Sequence, residues 1–250
     1  MPPQLLSVVV ITLNEEANIE RCLRSVAWAD EKIVVDCGSS DRTVQSATDL
    51  GARVVHREWS GYVDQKNHAI EHAAHAWVLS LDADEWLTEE AIEEIRRTLS
   101  APDADGYRVR RRTAFCGSYA DRTWGADRPL RLFRKDRGRF DGGPVHESVR
   151  LDSGASTGRL SGPILHAGYT SIADYVDKLN RYTGLAADGM AGSGRRYRPL
   201  KLWFGPPWTL FRLYVMKLGF LDGARGWIIA AGSAYYVLVR EAKLWERDQR

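Results

Sequence analysis

Over the first hundred residues the hydrophobic positions switch repeatedly between two spacings. Leu6–Thr12 is a nearly continuous apolar run rich in β-branched residues, which predicts a strand buried on both faces of a parallel sheet. Ile19, Cys22, Leu23 and Val26 then fall at i, i+3, i+4 and i+7, one apolar stripe on a helix. The alternation continues with a strand over 32–36, a helix over 39–50 stopped by Gly51, a short strand over 53–55 and a helix over 62–75. A fourth strand over 77–81 runs into Asp82, and Thr88 can cap a helix carrying Ala91, Ile92, Ile95 and Leu99. Strands and helices in this order predict a parallel sheet with right-handed crossovers.

Beyond Gly106 the pattern loosens. Strands are expected over 107–112 and 131–134, a Gly- and Ser-rich loop or hairpin over 153–162, and a helix over 171–187. Residues 192–207 hold three Gly and three Pro and read as a linker. Residues 208–245 are apolar, with aromatics and scattered basic residues; the apolar run over 226–239 is shorter than the ~20 residues of a spanning helix. No internal repeat is visible.

The chain has 250 residues, with 44% hydrophobic and 27% charged, which suits a single α/β domain with an appendage. Residues 1–4 carry no basic side chain and no small-residue cleavage site follows the first apolar run, so no signal peptide is expected. The three cysteines, Cys22, Cys37 and Cys116, form no C-x-x-C pair; a reducing compartment fits better than a disulfide framework or a zinc site. The net charge of +2 hides an asymmetry: residues 108–139 contain eleven Lys or Arg against three Asp, a net of +8, leaving −6 for the rest. That block is either a solvated face or a face for a phosphate-rich partner, since Arg pairs bidentately with phosphate.

In open α/β sheets ligands bind beyond the carboxyl ends of the strands. Three polar clusters follow expected strands there: Thr12-Leu13-Asn14-Glu15, Asp36–Asp41 and Asp82-Ala83-Asp84-Glu85. The third helix adds Gln65-Lys66-Asn67. Each cluster alone is ordinary turn chemistry; their shared edge is the signal. Asp82 and Asp84 would repel unless a cation or protons joined them, and a hard divalent metal can bridge carboxylates to a pyrophosphate. The competing reading of this pair is an acidic helix start favoured by the macrodipole. No G-x-G-x-x-G and no P-loop is present, which weighs against dinucleotide and P-loop folds.

The segments 8–16 (VVVITLNEE), 35–43 (VDCGSSDRT) and 81–86 (LDADEW) resemble the signatures of family-2 inverting glycosyltransferases with the GT-A fold. The segments 61–67 (GYVDQKN), 145–147 (VHE) and 219–223 (GFLDG) resemble lipopolysaccharide core-biosynthesis glucosyltransferases. The resemblance is strongest over residues 6–100 and extends to about 240. It implies an α/β GT-A catalytic domain over 1–165, with a nucleotide-binding half over 1–100 and an acceptor-binding half over 101–165. A C-terminal helical extension, associating with a membrane surface, would occupy 166–250. It implies that Thr12, Asn14 and Glu15 line the nucleotide pocket and that Asp36 contacts a uracil-type base on a loop shaped by Ser39 and Asp41. Lys66 and Asn67 would lie near the pyrophosphate. Asp82 and Asp84 match the D-x-D positions, with Asp84 the more direct ligand of Mg2+ or Mn2+.

Inverting transfer also needs a base. The carboxylates of the chain's middle segment are Asp121, Asp127, Asp136, Asp141, Glu147 and Asp152. Glu147 stands where the family places its catalytic carboxylate and follows a Gly-Gly-Pro turn, although many relatives carry Glu-Asp where this chain has His146-Glu147. Asp127 is the second candidate. His146 has three readings: a third metal ligand, an acceptor contact, or a loop histidine bonded to backbone. His166 reads as structural.

The expected reaction moves a sugar, glucose from UDP-glucose, onto a lipopolysaccharide-core or related lipid-linked glycan. Another polysaccharide or lipid-carrier acceptor is the alternative. The expected partners are a UDP-sugar, a glycolipid or phosphorylated glycan and an anionic membrane surface, without nucleic acid. The expected location is the cytoplasm or the cytoplasmic face of a bacterial inner membrane. Trp203, Phe204, Trp208, Phe211 and Tyr214 alternate with Lys201, Arg212 and Lys217, either as a core-packing helix or as an interfacial segment. A sugar-nucleotide pyrophosphorylase would want a Gly-rich basic loop after the first strand, which is absent. A non-enzymatic anionic-surface module would leave the acidic sheet edge without a role.

Overall fold

The computed structural model describes residues 3–124, 127–143 and 146–249. Through residue 100 it alternates β1 (Leu6–Thr12), α1 (Ile19–Ser25), β2 (Glu31–Asp36), α2 (Thr43–Asp49), β3 (Arg53–His56), α3 (Tyr62–Glu71), β4 (Trp77–Asp82), β5 (Glu85–Leu87) and α4 (Glu89–Ser100). There follow β6 (Gly106–Phe115), β7 (Ser118–Tyr119), β8 (Leu130–Arg134), β9 (Gly138–Gly143), β10 (His146–Leu151) and β11 (Thr157–Tyr169), then α5 (Ile172–Gly192), α6 (Pro199–Phe211) and α7 (Gly223–Asp248).

The main sheet runs β3-β2-β1-β4-β8-β6-β11-β5, with β7 on β6; β9 and β10 pair separately. The β3-β2-β1-β4 half is parallel, and β8 joins β4 antiparallel. β1 explains the continuous apolar run. Leu6, Val8 and Val10 face a core with Ile19, Cys22 and Leu23 of α1 and Ala91, Ile95 and Leu99 of α4. Val9 faces a second core with Ala69 and Ile70 of α3. Each such side chain contributes ~1.5–3 kcal/mol by burial, so both faces of β1 select apolar residues.

Contacts divide the chain into two compact units. One comprises Met1–Arg111, Arg128–Gly142 and His146–Ala167; the other consists mainly of Arg112–Asp127 and Gly168–Arg250. The second unit has its own core of Phe115, Ala120, Tyr175, Leu179 and Ile229. In the first, β11 lies directly on the start of α4. A Cβ at Gly162 would stand 2.5 Å from Ala91 Cα, and Glu94 accepts the amides of Ser161 and Gly162.

Several boundaries differ from expectation: β11 already begins at Thr157, inside the region expected as loop or hairpin, and α5 runs on to Gly192. Helix α2 starts at Thr43 rather than 39, because the side chains of residues 36–41 bond their own loop instead of capping a helix. Helix α3 ends at Glu71 rather than 75: the Ala74 and His75 amides donate to Glu31 and Ser7 on the strands. The expected linker over 192–207 is largely helix α6. Pro199 sits in its first turn, where a missing N–H costs nothing, while Pro206 and Pro207 lie inside it. Interior prolines disfavour a helix by ~3 kcal/mol each. The helix forms nonetheless and approaches α7 closely: a Cβ on Gly205 of α6 would come within 2.9 Å of Val237 on α7. A π-helical turn over Arg212–Met216 and a 3-10 turn over Gly219–Asp222 connect α6 to α7. Among the described residues no helix is long and apolar enough to cross a membrane.

Candidate active site

The loops after β1 and β2 are stitched together by the residues that stood out in the sequence. Asp36, buried at the end of β2, accepts from the amides of Gly38 and Ser39 at 2.8 and 2.9 Å and from the Ser39 hydroxyl. The Asn14 amide donates to Ser39 Oγ at 2.9 Å, and the Ser40 amide donates to Asn14 Oδ1 at 2.8 Å. Asn14 reaches this position with φ 54°, a left-handed conformation that Asn tolerates. The Glu15 amide donates to Thr43 Oγ1 at 2.8 Å, and the Glu16 amide donates to Asp41 Oδ2 at 3.2 Å. Ser39, Asp41 and Asn14 thus fix a double loop beside Thr12, whose buried Oγ1 has no hydrogen-bond partner among the described residues.

At the end of β4 a buried charge network begins. Lys66, on α3, places Nζ 2.8 Å from Asp82 Oδ1 and 2.9 Å from Glu147 Oε1 on β10. Arg131, in the middle of β8, donates to Asp82 Oδ2 at 2.8 Å and to Glu85 Oε1 at 2.7 Å; Arg111 adds a second cation to Glu85. Lys66, Glu85 and Arg131 are all buried. Burial opposes ionisation of Asp82, but the Arg131 and Lys66 cations outweigh it and hold its carboxyl well below the usual range. For Lys66 burial is likewise the largest influence, and the Asp82 and Glu147 carboxylates overcome it to raise the ammonium pKa.

Asp84 lies apart from these cations. Its Oδ2 stands 3.0 Å from His166 Nε2, and the two side chains are 27% and 21% exposed. The strand register sets this contact: antiparallel β5 and β11 pair His166 with Glu85, and the Ala167 amide donates to the Asp84 carbonyl. His166, expected to be structural, thus turns its ring to the second aspartate of D-x-D.

The pair is hydrogen-bonded as it stands, and the same spacing is compatible with two adjacent ligands on a divalent cation. Mg2+ bonds oxygen at about 2.1 Å, so two adjacent ligands at right angles lie about 3.0 Å apart. One carboxylate oxygen and one imidazole nitrogen already have that spacing. No cluster of three His, Cys, Asp or Glu donors occurs among the described residues. A metal here would need the remaining ligands from water or from substrate phosphates, the usual habit of Mg2+.

The other expected residues separate. The Asn67 side chain donates from Nδ2 to the Phe140 carbonyl and accepts the Phe140 amide at Oδ1, both at 2.9 Å, anchoring β9 to α3. Asp127 is exposed and belongs to the second unit. The His146 side chain lies outside the described residues. Much of the basic block is paired within the protein: Arg112 with Asp121, Arg134 with Asp136, and Arg111 and Arg131 with Glu85. The sequence pattern offers Arg131 no place in the site, Glu85 only a place in the acidic cluster and His166 only a structural one. Arg131 carried a signal, a charge flanked by the apolar Leu130, Leu132 and Phe133. His166, 82 residues from Asp84, carried none.

The chain is similar to known proteins in sequence and fold. The sequence profile described as glycosyl transferase family 2 matches residues 7–150. The lipopolysaccharide core biosynthesis glycosyltransferase LpsC of Rhizobium meliloti is 36% identical over 99% of this chain and 94% of its own. An uncharacterized glycosyltransferase of Rickettsia typhi is 31% identical over 96% of this chain and 87% of its own. Among solved structures, a glucosyl-3-phosphoglycerate synthase of Mycobacterium tuberculosis, crystallised with Mn2+, uridine diphosphate and glucosyl-3-phosphoglycerate, superimposes with a TM-score of 0.52. It covers 77% of this chain and 81% of that one at 18% identity, and so shares the GT-A fold alone. On the extent of the profile match and of these relatives, the chain belongs to glycosyl transferase family 2.

Proposed function

We propose that this glycosyltransferase moves a sugar, glucose from UDP-glucose, with inversion onto a lipopolysaccharide-core or related lipid-linked glycan. The observation that carries the reading is the Asp84–His166 pair at 3.0 Å beside the Lys66–Asp82–Glu147 chain. Asp84 and His166 would hold Mg2+ or Mn2+. Bound there, the cation would neutralise charge on the departing diphosphate.

The protein's own groups divide the remaining work. Thr12, Asn14, Glu15 and Asp36 line the nucleotide side, on loops braced by Ser39 and Asp41. Lys66 brings a fixed positive charge to the sugar-phosphate side, and Asn67 holds β9 against α3. Asp82 orients Lys66 and Arg131 rather than binding metal. Glu147 keeps Oε2 outside its ion pair and takes the acceptor hydroxyl's proton as the new C–O bond forms and the C–O bond to the diphosphate breaks. The name of the Rhizobium relative supports the lipopolysaccharide acceptor, and the ligands of the Mycobacterium structure support Mn2+ and a uracil nucleotide.

The catalytic domain of this reading spans 1–165, and the helical extension over 166–250 meets an anionic membrane surface at the cytoplasmic face. Trp203 and Phe204 on α6 are 73% and 65% exposed, and α6 buries none of its residues. Aromatics at headgroup level beside basic residues suit an interfacial segment.

Thermal shifts with UDP, GDP, CDP and ADP, each with and without Mn2+, test the donor. The expected result is stabilisation by UDP that requires the metal, with UDP-glucose hydrolysed under the same conditions. No response to any nucleotide would refute the reading. Flotation with anionic vesicles tests the membrane contact, and loss of binding is expected when Trp203, Trp208 and Phe211 become Ser.

A further inference from the structure

The second unit carries an open pocket of about 400 Å3, a size typical of ligand sites. Trp124, Tyr169, Tyr175 and Tyr236 supply aromatic wall, and Arg212 and Lys217 also line it. Both cations are exposed, and neither has a charged or hydrogen-bonding side-chain partner among the described residues.

Their proximity comes from an unusual piece of backbone. Residues five apart on an α-helix point about 140° from one another. Here Arg212–Met216 is a π-helical turn, and the Lys217 amide donates to the Arg212 carbonyl at 2.9 Å. The wider turn brings residues 212 and 217 toward one side, and such turns cluster at functional sites. Leu218 then takes φ 57°, a left-handed conformation rare for leucine, before the chain turns into Gly219–Asp222. Phe211, Val215 and Met216 flank the cations and are exposed.

Charge points to the occupant. Residues 195–225 carry seven Lys or Arg and one acid, Asp222. The Asp222 carboxylate is taken by Thr123, whose amide and hydroxyl both donate to it at 2.7 Å. Of the basic residues, Arg212 and Lys217 line the pocket together with no acid among the described residues, so its charged lining is cationic and the rest is largely aromatic and apolar.

We propose that this cavity binds one anionic amphiphile, its phosphate between Arg212 and Lys217 and its apolar chain against Trp124, Tyr169, Tyr175 and Tyr236. The proposal rests on the membrane reading above for its source of ligand, a phospholipid of the bilayer, and needs neither nucleotide nor turnover.

The probe is dodecyl phosphate below its micelle concentration, titrated into the full chain by calorimetry. One saturable site is expected, weakened about tenfold or more in the Arg212→Gln, Lys217→Gln double variant, since two charge-assisted hydrogen bonds are lost. Equal binding of uncharged dodecyl maltoside would overturn the proposal, as would equally tight binding of inorganic phosphate or an unchanged affinity in the double variant. The UDP and Mn2+ thermal shift is expected to be unchanged in that variant, which separates this site from the donor site. Vesicle binding lost in the Trp203, Trp208 and Phe211 variant, with dodecyl phosphate still bound, would support a cavity distinct from the general interfacial face.

Discussion

Lys66 Nζ stands between Asp82 Oδ1 at 2.8 Å and Glu147 Oε1 at 2.9 Å, joining the end of β4 to β10 through one buried ammonium. Removing it leaves two carboxylates short of a cation, of which Asp82 keeps Arg131. Breaking a buried pair by deleting one partner costs ~3–5 kcal/mol. Lys66→Met is expected to lose about that much in urea unfolding, along with turnover. A double change, Lys66→Met with Glu147→Gln, should recover part of the stability and none of the turnover. Equal stability of the single and double variants would mean that the two groups are not coupled.

The two aspartates of D-x-D are expected to fail differently. Asp82 is held by two buried cations, so Asp82→Asn should cost several kcal/mol of stability. Asp84 pairs with no Lys or Arg among the described residues and bonds the half-buried His166, so Asp84→Asn should leave urea unfolding nearly unchanged. It should instead abolish the metal-dependent part of the UDP thermal shift, and His166→Ala should do the same. Matching unfolding midpoints for the two aspartate variants would remove this division of labour.

The parallel half of the sheet was legible because burial on both faces leaves an unbroken apolar run, as in β1, and because helix stripes repeat at 3.6 residues. Its polar loops were legible because loop bracing and ligand contact both favour Asn, Asp and Ser. That same overlap hid their division of roles: Asp36, Ser39 and Asp41 hold backbone, and the sequence pattern alone cannot separate this from ligand contact. The antiparallel half was less legible. His166 meets Asp84 only through the β5–β11 register, and Arg131 finds two carboxylates contributed by other elements. Helix α6 was missed because Pro and Gly signal breaks locally, whereas its packing on α7 is a tertiary fact.

Glu31 is expected to set part of the acid sensitivity of the fold. Burial opposes its ionisation, but the Ala74 amide, the Ser7 hydroxyl and Arg53 outweigh it and lower its pKa below the ordinary 4.5. A folded-state pKa below the unfolded one gives stability that is full above about 4.5 and lost as pH falls through the folded value. Glu31→Gln should therefore destabilise by ~1–2 kcal/mol at pH 7. It should also flatten the fall in unfolding free energy between pH 5 and pH 3, measured as a series of urea curves. Parallel curves for variant and parent would show that Glu31 does not carry this linkage.

Glu147 is the sharpest test of the chemistry. Its Oε1 is fixed by Lys66, so the carboxylate is oriented before any acceptor arrives. Glu147→Gln keeps the shape and a weaker hydrogen bond to Lys66 but cannot accept the acceptor's proton. Turnover should fall by roughly two to four orders of magnitude, the usual worth of general-base catalysis, with the UDP and Mn2+ shift retained. Glu147→Asp should recover little, because a side chain one methylene shorter cannot both reach Lys66 and present its second oxygen. A structural role alone would instead lower stability and activity together and leave the pH profile in place. Loss of the acidic limb of the kcat profile in Glu147→Gln is therefore the decisive measurement, and an unchanged limb with near-normal turnover would move the base to Asp127.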